Sequence, residues 1–158
     1  IKDYDTSFKM NPPLRSKKDL EAIIEGLKDG TIDMIASDHA PHSVLEKDVE
    51  FDRAAFGIVG LETSLALGLK LVHDSQLSLS DLIVKMAKNP ATLIGIENDI
   101  KPGMVADLTL LDTEFDWQVD PDKFETKGKN SPFKGMTLKG GAWMTIVDGR
   151  IVYERIKK

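Results

Sequence analysis

The sequence contains no cysteine. Disulfides, thiolate zinc sites and cysteine nucleophiles are thereby excluded. Histidine is scarce, with three in 158 residues. No apolar run approaches the ~18 residues of a membrane span, so no spanning helix is expected. Basic charge is not in excess: 21 Lys and Arg stand against 26 Asp and Glu, a formal net charge of -5. That balance argues against nucleic acid or an anionic membrane as a partner. There is no Gly-Lys-Ser/Thr phosphate loop, no serine elbow and no internal repeat. The N-terminus, Ile1-Lys2-Asp3-Tyr4-Asp5, has neither a basic-then-apolar leader nor an initiator methionine. A processed or partial chain is therefore expected. What is present, 41% hydrophobic and 30% charged residues, suits a soluble globular protein with one core. The lack of cysteine fits a reducing, cytoplasmic setting.

The most informative stretch is Ile35-Ala36-Ser37-Asp38-His39-Ala40-Pro41-His42. Two of the three histidines follow an acid at the end of an apolar run. A carboxylate at the mouth of a buried strand is costly unless a metal, a hydrogen-bond cluster or a catalytic role compensates it.

Ser16 to Gly30 reads as a helix, with Ser16 and Asp19 as a weak capping box and Gly30 as its stop. Leu20, Ile23, Ile24 and Leu27 share one face. Thr31 to Ser37 reads as a buried strand, which places Asp38 at its C-terminal end, where α/β folds bind ligands. Ser43 to Gly57 is a long charged connection, expected to be a functional flap or disordered. Gly60 to His73 and Ser80 to Lys88 read as helices, the second capped by Ser80. Leu61, Leu65, Leu69 and Val72 line one side of the first. Asn89-Pro90 reads as the cap and first position of a short helical turn. The character changes near residues 97–101, where a domain boundary is expected. Val105, Leu108, Leu110 and Leu111 read as strand, and 119–141 as irregular. Trp143 to Val147, Asp148-Gly149 and Ile151 to Glu154 form a hairpin signal.

Each candidate residue has a plain and a functional reading. Asp38 is either a loop or capping acid, or a catalytic one. His39 reads as a packing histidine. His42, aimed by Pro41, is structural or functional. His73, at a helix end, suits the dipole and has no assigned role. Asn11, behind two stiff prolines, belongs to a rigid connection or is held over a ligand. Gly57, after Phe56, breaks the chain or permits close approach of a substrate. Phe56-Gly57-Ile58-Val59-Gly60 lacks the Gly-x-Gly-x-x-Gly spacing of a dinucleotide site.

Three motifs, in order, resemble the C-terminal portion of the bacterial dihydroorotases of the amidohydrolase superfamily. They are Lys9-Met10-Asn11-Pro12-Pro13-Leu14-Arg15, Ser37-Asp38-His39-Ala40-Pro41-His42 and Phe56-Gly57-Ile58-Val59-Gly60-Leu61-Glu62-Thr63. Asn89-Pro90-Ala91 and Gly103-Met104-Val105-Ala106-Asp107-Leu108 are similar to that superfamily's exit from barrel to sandwich. The resemblance implies an α/β chain: the last part of a (β/α)8 TIM barrel over residues 1–98, then part of a small β-sandwich over 99–158. It implies zinc, as one or two ions, with Asp38 as a ligand that also carries the proton to the departing amide nitrogen. It implies that Asn11 and His42 hold the substrate, and that the backbone of Phe56 and Gly57 closes over its ring. The implied reaction is reversible closure of N-carbamoyl-L-aspartate to dihydroorotate in pyrimidine biosynthesis.

The barrel's usual His-x-His pair and its other metal ligands have no counterpart in this sequence. A whole barrel takes roughly 250 residues. The chain is therefore expected to be a fragment, inactive alone, whose partner is the missing N-terminal part of the same protein. A homodimer or an aspartate transcarbamoylase complex is also compatible with the resemblance. Two alternatives stay open: a non-catalytic scaffold for aspartate transcarbamoylase, and a cyclic amidohydrolase of the hydantoinase or allantoinase type.

Overall fold

A computed structural model describes residues 3–155. Helix α1 spans Lys17–Asp29. The Ser16 hydroxyl accepts from the Asp19 amide at 3.3 Å, and the Asp19 carboxylate accepts from the Ser16 amide at 3.1 Å. This is the expected capping box, which satisfies two otherwise orphaned donors. Gly30 ends the helix at φ 85°, in the left-handed region that favours glycine. Of the four residues on the apolar face only Leu27 is buried; Leu20 and Ile23 are about half exposed.

The stretch 31–37 forms no strand. A parallel strand needs a neighbouring backbone to complete its ladder. Here the Ile32 and Asp33 carbonyls accept instead from the side chains of Lys85 and Asn89. Among the described residues only His39 pairs in parallel fashion, with Ile58. The expectation of a buried strand is corrected accordingly. The charged connection is also more ordered than expected. Helix α2, Val44–Lys47, lies within it, capped by Ser43 and Glu46 in a second capping box.

Helix α3 spans Ser64–His73 and begins four residues later than expected. Helix α4, Leu79–Ile83, is capped by Ser78 rather than Ser80. The reason is spacing: Ser78 accepts from the Asp81 amide at 3.0 Å, three residues on. A π-helical turn, Val84–Lys88, joins α4 to α5, Asn89–Leu93. Asn89 is already helical, at φ -64° and ψ -44°, and is therefore not a cap. Proline at 90 has no N–H to continue the ladder, and the π turn absorbs the change of register.

A three-stranded antiparallel sheet follows, in the order β1, Leu108–Gln118; β2, Thr137–Val147; β3, Arg150–Glu154. Strands β1 and β2 run further than the sequence suggested, with Gly141 flanking an irregularity between Asp112 and Asp116. Residues 119–136 remain irregular apart from a short 3-10 turn at Pro121–Lys123. The β2–β3 hairpin turns on Asp148 and Gly149, at φ 50° and 72°. Two positive φ angles give the turn whose twist matches its strands. Ala66 of α3 packs with Val119 and Leu138, and Leu67, Trp117, Phe124 and Phe133 surround them. No helix among the described residues is long and apolar enough to cross a membrane.

Candidate active site

The three motifs lie far apart in sequence and meet around Gly57. The Gly57 amide donates to the Lys9 carbonyl at 3.0 Å. The Ala40 amide donates to the Ile58 carbonyl at 2.8 Å, and the Val59 amide to the Asn130 carbonyl at 3.1 Å. Lys9, residues 39–42 and residues 56–60 are thus stitched side by side, with Thr126 and Asn130 bonded to them.

Gly57 has φ 130°, a conformation closed to side-chain-bearing residues. A Cβ there would fall 2.5 Å from the Ala40 Cβ and 3.2 Å from the His42 Nε2. Glycine is therefore required twice over, by backbone geometry and by space.

The His42 ring is half-buried. Its Nε2 lies 2.8 Å from the Phe56 carbonyl, an acceptor only, so Nε2 carries a hydrogen that is donated there. Its Nδ1 faces the Glu46 carboxylate at 3.6 Å. The Ser43 amide and hydroxyl hold the Glu46 carboxyl below its ordinary range, with His42 acting in the same direction. The His42 amide donates to the Asn130 Oδ1 at 2.9 Å. His39 is bound at both nitrogens. Its Nδ1 accepts from the Gly60 amide at 3.1 Å, and its Nε2 meets the Thr126 hydroxyl at 3.2 Å. These contacts fit the packing role expected of it.

The Phe56 ring is exposed and lies 4.4 Å from the Lys9 ammonium, a cation–π contact. Asp38 is exposed at φ 43° and makes no hydrogen bond or ion pair among the described residues. Aspartate tolerates this left-handed conformation better than most residues. Asn11 is exposed, precedes a cis bond to Pro12, and likewise has no side-chain partner among the described residues. His42, Phe56 and Gly57 therefore form one bonded group, while Asp38 and Asn11 present unengaged polar side chains.

Three further residues of the site were not visible in the sequence. Lys47 is buried at 7% exposure. Its ammonium donates to the carbonyls of Ala55 at 2.9 Å, Gly57 at 3.1 Å and Lys9 at 3.3 Å. Burial pushes this ammonium below its usual pKa, and the neighbouring Lys9 cation adds to the effect. Asn130 donates to the carbonyls of Ala40 and Gly57, at 3.0 and 3.1 Å. Lys9, also buried, donates to the Asp52 carbonyl at 2.8 Å. Lys47 lies within a charged run that reads as solvated, and Lys9, although it opens the first motif, carries no local sign of burial. A cleft of about 320 Å³ opens beside His42, with Ser7, Lys47, Lys129 and Asn130 among its walls; Asp38, Asn11 and Phe56 do not line it.

A model of the amidohydrolase family matches residues 10–152. The chain belongs to the amidohydrolase family. Its relatives within the family include a dihydroorotase from Desulforapulum autotrophicum, 56% identical over 98% of this chain and 36% of its own length. A dihydroorotase from Geobacter metallireducens is 56% identical over 98% of this chain and 37% of its own. The chain thus spans just over a third of the length of these relatives. The L-hydantoinase (dihydropyrimidinase) from Arthrobacter aurescens superimposes with a TM-score of 0.90 at 36% identity, over 98% of this chain and 36% of that one. The D-hydantoinase (dihydropyrimidinase) from Thermus sp. shares the fold at a TM-score of 0.84 and 21% identity. The fold is accordingly that of part of an amidohydrolase TIM barrel with part of its sandwich, as the sequence suggested.

Membership of the amidohydrolase family implies a metal. Among the described residues, no group of three or more His, Asp or Glu side chains is arranged to hold an ion. A catalytic zinc takes about three protein ligands. Asp38 offers one carboxylate. The described residues do not on their own fit a zinc centre.

Proposed function

We propose that the full-length protein carrying this chain is a dihydroorotase, acting on dihydroorotate and N-carbamoyl-L-aspartate in pyrimidine biosynthesis in the cytoplasm. One observation carries the reading: a 56% identical relative over 98% of the chain bears that name. The convergence of the three motifs around Gly57 supports it. In this reading Asp38 is the catalytic acid and base. Its unengaged carboxylate takes a proton from the attacking water and delivers it to the departing ring nitrogen as the C–N bond breaks. Asn11 supplies a donor and an acceptor to the substrate, and His42 faces the substrate's carboxylate. The backbone at Phe56 and Gly57 closes over the ring. Zinc belongs to the proposal for the full-length protein only, with Asp38 as one ligand and the others outside the described residues. The chain alone is expected to be inactive. The division into a barrel segment, 1–98, and a sandwich segment, 99–158, is part of the same proposal.

The likeness to the L-hydantoinase favours a second reading, hydrolysis of a hydantoin or dihydropyrimidine ring. His42 separates the two, because a substrate bearing a carboxylate needs a polar or cationic partner. The test is steady-state hydrolysis by the full-length protein, supplied with zinc, of dihydroorotate, hydantoin and dihydrouracil. Preference for dihydroorotate supports the first reading and preference for a neutral ring the second. Loss of all three activities in correctly folded protein overturns both and favours a scaffold.

A further inference from the structure

We propose that Lys47 and Asn130 are positioning residues that fix the Gly57 peptide, and with it the segment that closes over the substrate. The inference rests on the dihydroorotase reading for the substrate alone; the geometry stands apart from it. Gly57 is the least restrained residue type, held at φ 130° within the third motif. Its carbonyl receives two donors, the Lys47 ammonium at 3.1 Å and the Asn130 amide at 3.1 Å. Both acceptor positions of that oxygen are filled. Its own amide is spent on the Lys9 carbonyl. The peptide on either side of Gly57 therefore cannot turn without breaking bonds to buried groups.

The two side chains reach beyond Gly57. The remaining donors of Lys47 hold the carbonyls of Ala55 and Lys9, two residues before Asn11. Asn130 also accepts from the His42 amide and donates to the Ala40 carbonyl. Residues 9, 40, 42, 55 and 57 are thus tied to two heads. Three ammonium protons meet three carbonyls, and Lys47 forms no ion pair with a carboxylate among the described residues. A buried cation with no carboxylate in contact is costly and is tolerated where its hydrogen bonds are complete, here with the more distant Asp5 charge also favouring it. Such a head places three peptides with the precision that substrate positioning requires.

The test uses the full-length protein and the variants Lys47→Met, Lys47→Gln and Asn130→Ala. Each should raise KM for dihydroorotate about tenfold while kcat changes far less, the loss expected for about one hydrogen bond. The Lys47→Gln/Asn130→Ala pair should raise KM by less than the product of the single effects, because both act on one oxygen. A purely structural role would lower the active fraction and kcat and leave KM alone. Unchanged KM in folded Lys47→Gln, or multiplicative effects in the pair, overturns the proposal. Lys47→Gln retains two donors and decides the matter if Lys47→Met fails to fold. If the wild-type protein does not hydrolyse dihydroorotate, the dihydroorotase reading fails and hydrogen exchange at the Gly57 amide becomes the readout. Exchange at least about tenfold faster in Lys47→Gln then supports the positioning role, and unchanged exchange overturns it.

Discussion

Replacing Gly57 by alanine should destabilise the protein by roughly 2–5 kcal/mol, the sum of two separable costs. The first is conformational: φ 130° is a region that side-chain-bearing residues avoid. The second is steric. The new Cβ would sit 2.5 Å from the Ala40 Cβ, an atom fixed to backbone that itself pairs with Ile58. Neither atom is the end of a flexible side chain, so the clash is relieved only by moving the 39–42 or 56–60 segment. Gly30→Ala is the internal control. Gly30 also has a positive φ, 85°, but a Cβ there meets nothing within 4 Å. It should lose about 1–2 kcal/mol, from strain alone. The assay is urea denaturation of the full-length wild-type protein and both variants, with KM for dihydroorotate measured alongside. Gly57→Ala should lose more stability than Gly30→Ala and should raise KM, whereas Gly30→Ala should leave KM unchanged. Equal losses would refute the claim that close packing against Ala40 dictates glycine at 57.

Asp38→Asn should lower kcat of the full-length protein by roughly 100-fold or more, the usual worth of a general acid–base; near-normal turnover would remove Asp38 from the mechanism. His42→Ala should raise KM for dihydroorotate by roughly tenfold, as a hydrogen bond to a charged group is lost; an unchanged KM would return His42 to a purely structural role. The Glu46 carboxyl is held below its ordinary value of 4.5 by Ser43, so its contribution is present above that value. It is lost as pH falls through the depressed folded-state pKa. Acid unfolding of the wild-type protein should therefore show a loss below about pH 4.5 that Glu46→Gln lacks, and identical acid profiles would contradict it.

Local chemistry made several elements legible. Ser16 and Asp19 announce a helix start, and Gly30 its end, because capping depends on residues a turn apart. Asp148-Gly149 announces a hairpin because two adjacent positive φ angles restrict the residue choice. The motifs holding Asp38, His42, Asn11, Phe56 and Gly57 also stood out, each as a short run of unusual residues. Long-range pairing was a different matter. The apolar run 31–37 has the composition of a strand, but a strand exists only where a neighbouring backbone completes its ladder; here the side chains of Lys85 and Asn89 take the carbonyls instead. Lys47 lies in a run of charges that reads as solvated, and only the fold turns it inward against three carbonyls. Asn130 stands about ninety residues from Ala40 in an irregular, charged stretch, and nothing near it marks a role. The sequence by itself determined where α1 begins and ends, where the β2–β3 hairpin turns and which residue types could carry chemistry, since those depend on neighbours along the chain. Tertiary structure alone decided which backbone groups those residues would meet, because hydrogen bonds between distant segments depend on how the chain returns to itself.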